Sequence, residues 1–306
     1  MSATGLTAVV AHDAGGAEIL SSLLRRQGDG WRAHHLLVLE GPARRIFERK
    51  LGAVDSADLG SAVDRASSVL CGTGWQSVLE VQAIALARQQ RKQSVAFLDH
   101  WVNYRERFQR NGKLDLPDEI RVGDAFAFER ARAAFPQLPV TQVENPYFLD
   151  LQEQFAMQQP AAGRGEELNF LYVCEPVREH ALKQYGNERH WGYTEEDALR
   201  YFLDNVRVFG RPVGRILIRP HPAEQPGKYD AIGREYELPV SFSEGRELAA
   251  EIVDSDWLAG CNSMAMVMGL LAGRQVACCI PPGGPQCALP QPEIRSLQAM
   301  VAGAAR

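Results

Sequence analysis

Compact apolar runs alternate along this chain with stretches in which apolar residues recur every third or fourth position, as at Ile19, Leu20, Leu23 and Leu24. Apolar runs that stop at small polar loops predict buried parallel strands, and the helical spacing predicts crossover helices between them. In the first half the pattern places strands at Leu6–Ala11, His34–Leu39, Ser67–Cys71, Ser94–Leu98, Glu119–Val122 and Val140–Val143. Helices are predicted over Ala17–Arg26, Pro42–Leu51, Trp75–Gln90 and Ala125–Phe135. In the second half strands are predicted at Leu168–Cys174, Arg215–Ile218, Leu238–Phe242, Asp256–Ala259 and Gln275–Ile280. Helices are predicted over Thr194–Phe209, Met264–Ala272 and Pro292–Ala302. The fold class is therefore α/β throughout, with no internal repeat at a fixed period.

Between Asp150 and Glu167 the pattern lapses into a polar stretch rich in Gln, Gly and Pro, which reads as a linker. The chain of 306 residues then divides into domains at 1–150 and 165–306, the length expected for two. The final helix is a candidate to pack back on the first domain. Net charge sharpens the picture: 33 Lys and Arg against 38 Asp and Glu give −5, which argues against a nucleic-acid binder. The longest apolar stretches, such as Ala265–Ala272, are far shorter than a membrane span, and the first twenty residues lack a secretory pattern. A cytoplasmic protein is expected, with peripheral contact at the inner face of a membrane left open. Cysteines at 71, 174, 261, 278, 279 and 287 show no C-x-x-C spacing, so buried reduced thiols are expected rather than a zinc site. No set of carboxylates is spaced for Mg²⁺.

The polar residues with chemical potential follow the predicted strands, where open parallel sheets place their ligands. His12-Asp13-Ala14-Gly15-Gly16 follows the first strand: Asp13 is placed to act as a general base, and Gly15 and Gly16 allow close approach of an acceptor. A plain turn capped by Asp13 explains the same residues. Gly72-Thr73-Gly74 repeats the theme without a specific signature. Asp99, His100 and Tyr104, with Trp101, gather polar and aromatic groups after a buried strand and are acceptor-binding candidates. The sharpest motif is Arg219-Pro220-His221-Pro222, in which two prolines fix the direction of an imidazole. Its companion is Gly260-Cys261-Asn262-Ser263, small residues opening an apolar helix whose free N–H groups suit an anion.

Two α/β halves with a His-Pro loop and a serine-bearing helix start in the second resemble the GT-B glycosyltransferases of bacterial surface polysaccharides. The similarity is to sialyltransferases, capsule Kdo transferases and CDP-glycerol transferases, in which an HP motif and a serine motif hold the phosphate of a cytidine nucleotide donor. Here His221-Pro222 matches the first and Asn262-Ser263 the second, while Asp13-Ala14-Gly15 stands for the acidic motif of the sialyltransferases. The resemblance implies two Rossmann-like domains facing an interdomain cleft and a substrate such as a CMP-linked acidic sugar, transferred to a hydroxyl of a glycan or lipid-linked glycan. It implies no cofactor and no metal: His221 meets the leaving phosphate, and Asp13 takes the acceptor proton. Arg219 is then assigned to a donor carboxylate or phosphate, and Glu175 to the ribose or base. Two alternatives stay open: a UDP-sugar hydrolase or non-hydrolysing epimerase on the same fold, and a non-catalytic nucleotide-sugar-binding scaffold subunit. Homo-oligomerisation stays open as well.

Overall fold

The computed structural model describes residues 5–74, 77–110, 112–158 and 165–304. The chain separates into two compact units, Met1–Asp150 and Leu151–Arg306. The first unit runs β1 (Thr7–Ala11), α1 (Ala14–Arg25), β2 (His35–Leu39), α2 (Gly41–Leu51), α3 (Leu59–Arg65), β3 (Ser68–Cys71), α4 (Leu79–Gln89) and β4 (Gln93–Leu98). A hairpin of β5 (Gln109–Arg110) and β6 (Lys113–Leu114) precedes β7 (Glu119–Val122), α5 (Ala125–Ala134) and β8 (Val140–Gln142). Helix α6 (Pro146–Met157) runs through the division.

The second unit contains β9 (Leu168–Val173), α7 (Val177–Tyr185), α8 (Glu195–Asn205), β10 (Val213–Arg219), α9 (Asp230–Arg234), β11 (Val240–Phe242) and α10 (Leu248–Val253). It ends with β12 (Trp257–Gly260), α11 (Met264–Leu271), β13 (Gln275–Cys278), β14 (Ile294–Ser296) and α12 (Leu297–Ala304).

Each unit holds a parallel sheet of six strands, ordered β2-β1-β3-β4-β7-β8 in the first and β11-β10-β9-β12-β13-β14 in the second. The strands read as continuous apolar runs because helices cover both faces of such a sheet. In β9 the alternate residues Leu168, Phe170 and Tyr172 enter one core, with Phe202 of α8, Ile216 and Ile218 of β10, and Trp257 of β12. Phe170 meets Phe202 edge-on at 5.5 Å between ring centroids. Each fully buried ring of this kind contributes roughly 1.5–3 kcal/mol. The first unit is built likewise around Val9, Leu20, Leu24, Phe47 and Phe97. The strand order reverses between β1 and β3 in one sheet and between β9 and β12 in the other, and these switch points are where such sheets open a crevice.

Several elements depart from expectation. Helix α1 starts at Ala14, three residues early, so Gly15 and Gly16 lie in its first turn and adopt no left-handed conformation. Trp75 and Gln76, expected to open a helix, lie outside the described residues, and α4 starts at Leu79. Much of the expected linker is α6, since its Gln, Glu, Leu and Met residues are good helix formers; residues 159–164 lie outside the description. The expected final helix begins as the edge strand β14 and becomes helical only at Leu297. Leu297, Met300 and Val301 of α12 pack on the core of their own unit. Among the described residues, no helix is long and apolar enough to cross a membrane.

Candidate functional site

At the switch point of the first sheet, β1 delivers His12 and Asp13. Asp13 stands at the N-cap of α1, yet its side chain makes no capping hydrogen bond. Its Oδ1 lies 2.6 Å from His12 Nδ1 instead, and both side chains are about a quarter exposed, at 26% and 23%. The His12 amide donates to Glu80 Oε1 at 2.8 Å. Glu80 is 2% exposed, and burial raises its carboxyl above the usual carboxylate range. Two glycines make room for the pair. A Cβ on Gly41 would fall 2.7 Å from His12 Nε2, and one on Gly74 would fall 2.8 Å from Asp13 Cγ.

Around this pair the loops interlock through missing side chains. A Cβ on Gly16 would sit 2.9 Å from the Gly72 Cα, and one on Gly15 would run into the Asp99 carboxylate. The glycines therefore serve close helix-to-loop packing. Asp99, expected to touch an acceptor, is engaged internally: Oδ1 pairs with the buried Arg107 guanidinium and accepts from Thr73 Oγ1 at 3.3 Å. Arg107 also donates to the Thr73 carbonyl at 2.5 Å. The same ion pair clamps the β3 and β4 loops. His100 accepts from the Trp101 amide at 2.9 Å through Nδ1, and burial lowers its pKa, which keeps it neutral near pH 7. Tyr104 is buried, and its hydroxyl has no hydrogen-bond partner among the described residues.

At the switch point of the second sheet, β9 delivers Glu175 and β12 delivers Cys261, Asn262 and Ser263. Glu175 Oε1 accepts from the Asn262 amide at 2.6 Å and the Cys261 amide at 3.1 Å. The helix start expected to hold a substrate phosphate thus carries the protein's own carboxylate in this structure. Burial raises the Glu175 pKa, and the backbone donors oppose it. Ser263 caps α11 by accepting from the Ala265 amide at 3.2 Å, and Asn262 Oδ1 accepts from the Ala288 amide at 2.8 Å.

The His-Pro loop leaves β10, next to β9. Glu224, three residues beyond His221, accepts the His221 amide at 2.7 Å, the Tyr229 hydroxyl at 2.5 Å and Lys228 at 2.8 Å. His221 and Pro222 remain exposed. His221 Nδ1 accepts from the Ala223 amide at 3.2 Å, which leaves the proton on Nε2. Although much of the side chain faces solvent, partial desolvation of the ring lowers the His221 pKa, so the residue suits hydrogen-bond donation better than proton release near neutrality. Arg219 points elsewhere: its Nη1 donates at 2.5 Å to Glu251, whose side chain is fully buried, and at 2.7 Å to the Arg246 carbonyl. That pairing takes up the cation expected to meet a donor carboxylate.

No family model matches the sequence, and no curated protein matches it. Solved structures do match. The UDP-GlcNAc 2-epimerase of Neisseria meningitidis, bound to UDP-GlcNAc, superposes with a TM-score of 0.56 at 10% identity, over 89% of this chain and 81% of that one. The fold is of the GT-B type. The UDP-GlcNAc 2-epimerase from Methanocaldococcus jannaschii gives a TM-score of 0.54 at 8% identity, over 89% of this chain and 83% of that one. The glycotransferase of kitacinnamycin gives 0.54 at 14% identity, over 99% and 85%.

The sequence pattern places Asp13, Glu175, Asn262 and Ser263 just after predicted strands; the structure puts Asp13 in one cluster and gathers Glu175, Asn262 and Ser263 in another. The pattern missed His12, whose signal was its position directly before Asp13 at a strand end. It also missed Glu80, Arg107 and Glu251, which act on residues distant in sequence, and Glu224, which closes the local turn after His221. Among the described residues, no group of three His, Cys, Asp or Glu is arranged to hold a metal.

Proposed function

We propose that this chain is a glycosyltransferase that uses a nucleotide sugar, with a cytidine nucleotide as the leaving group. The observation that carries the reading is the His12–Asp13 pair at the carboxyl end of β1, with Nδ1 on the carboxylate at 2.6 Å and the ring partly open to solvent. A carboxylate on Nδ1 fixes the tautomer that leaves Nε2 as acceptor and stabilises the imidazolium formed when that nitrogen takes a proton. His12 is then the base for an acceptor hydroxyl, and Asp13 its orienting partner. The His-Pro and serine motifs favour the cytidine nucleotide. On the donor side His221 offers Nε2–H to the phosphate, and Asn262 and Ser263 follow β12, two strands from β10 in the sheet. Arg219, assigned to a donor carboxylate or phosphate, is engaged with Glu251, and the sugar is left unassigned. The fold likeness to an epimerase bound to UDP-GlcNAc is in keeping with a nucleotide-sugar substrate.

A thermal-shift panel of CMP, CDP, UMP, UDP, GDP and ADP tests the nucleotide, since a ligand that binds only the folded state raises its apparent stability. Selective stabilisation by CMP or CDP is expected; selective stabilisation by UDP or UMP overturns the cytidine assignment. Donor turnover is then followed with and without a mixed glycan acceptor pool. Asp13→Asn should lower transfer by roughly 10²–10⁴-fold while leaving nucleotide affinity unchanged. Equal turnover without acceptor would make the chain a hydrolase or epimerase.

A further inference from the structure

Cys278 ends β13, and Cys287 lies beyond the Gly- and Pro-rich segment 281–286. Both sulfurs converge on one atom: Cys278 Sγ and Cys287 Sγ donate to the Cys261 carbonyl oxygen at 3.3 and 3.6 Å. Each sulfur perturbs the titration of the other, raising the Cys278 thiol and lowering that of Cys287. All six cysteines are free; Cys287 is partly exposed and the other five are buried. Two of the other four sulfurs are directed elsewhere, Cys71 to the Val95 carbonyl and Cys279 to that of Ala277, each at 3.6 Å. The next residue after Cys287 is Ala288, whose amide donates to Asn262 Oδ1 at 2.8 Å.

We propose that Cys278 and Cys287 form a reversible oxidation site, at which a peroxide joins the two sulfurs and fastens segment 279–286 beside Asn262. The contact with Cys278 favours the thiolate of Cys287, the more accessible sulfur. That thiolate attacks one peroxide oxygen, the O–O bond breaks, and the leaving hydroxide takes a proton to become water. The resulting sulfenic acid is attacked by the Cys278 sulfur; the S–O bond breaks, an S–S bond forms, and a second water leaves with the Cys278 proton. Two thiols lose two electrons and two protons, and hydrogen peroxide is reduced to two waters. A thiol reductant reverses the change. The effect of the bond on a ligand rests on the nucleotide reading given above.

The test treats the intact folded chain with hydrogen peroxide, blocks the remaining thiols by alkylation, and maps the unreduced digest by mass spectrometry. A Cys278–Cys287 disulfide that dithiothreitol reverses is expected, with four thiols still alkylated. Cys287→Ser should retain all five of its thiols under the same dose. A link between any other pair, or over-oxidation of Cys287 without a disulfide, overturns the proposal. Hydrogen exchange over 281–290 should slow on oxidation, and unchanged exchange refutes the fastening. CMP affinity should differ by roughly fivefold or more between reduced and oxidised protein. Equal affinities refute the tie to Asn262, whereas a reduced protein that binds no CMP counts against the nucleotide reading and leaves the thiol chemistry standing.

Discussion

Replacing Gly16 by Ala probes the contact on which the first site is built. Gly16 lies in the first turn of α1, and an added Cβ would stand 2.9 Å from the Gly72 Cα and 3.4 Å from the Thr73 nitrogen. Carbon atoms rest at about 3.5–4.0 Å, so the buried β3 loop must retreat by roughly 0.6–1 Å. Nothing flexible absorbs this, because both atoms belong to backbone. Overpacking of this kind costs typically 1–3 kcal/mol, and the better helix propensity of Ala returns at most about 1 kcal/mol. The net loss is roughly 1–2 kcal/mol, which for a unit the size of Met1–Asp150 lowers its Tm by about 2–8 °C. Differential scanning calorimetry reads it directly, and a urea titration should show a lower midpoint with unchanged slope. Gly303→Ala, where a Cβ meets nothing within 4 Å, is the control and should leave Tm unchanged or slightly raised. A Gly16→Ala protein as stable as the parent would refute the close approach of α1 to the β3 loop.

Two further perturbations follow from the geometry. Thr194 and Asp197 form a reciprocal capping box at the start of α8, so Thr194→Ala should cost about 0.5–2 kcal/mol in thermal unfolding while Thr194→Ser restores most of it. Burial raises the folded-state pKa of Glu80 above its ordinary 4.5, so the contribution of its protonated form is complete below that pH and is lost as pH rises through the folded value. Glu80→Gln removes this titration; its Tm relative to the parent should climb as pH goes from about 4.5 toward neutrality, and parallel Tm curves would contradict the assignment.

The strand ends were legible because a parallel strand covered on both faces must be apolar throughout and must stop where its backbone meets a loop. Val9–Ala11 before His12, and Leu217–Ile218 before Arg219, display that transition in the residues themselves. Strand β14 was hidden because Ile294-Arg295-Ser296 is an edge strand with two exposed residues and no apolar run. Helix α6 was hidden because a polar stretch reads as a loop even where, as here, its residues favour helix. The site was legible only as far as its positions. Whether a polar residue faces a ligand or a partner depends on pairings such as Arg219 with Glu251, Asp99 with Arg107, and Glu175 with the Asn262 amide, all fixed by the tertiary fold. His12 carries no signal of its own in the sequence, since its role depends on the contact of its ring with Asp13.

The different wiring of the two sheets sets a timetable for the nascent chain. Strand β1 finds β2 and β3 within the span Thr7–Cys71, so the interior of the first sheet closes once that short stretch has been made. Strand β9 pairs with β10 on one side, but its other neighbour, β12, aligns Trp257 with Phe170. While the ribosome translates the intervening residues, one edge of that strand stays open, with its amides and carbonyls unpaired. Any chain released before Gly260 therefore carries a raw strand edge in the middle of its second sheet. Slow translation across this stretch lengthens the period in which chaperones must shield that edge from other copies.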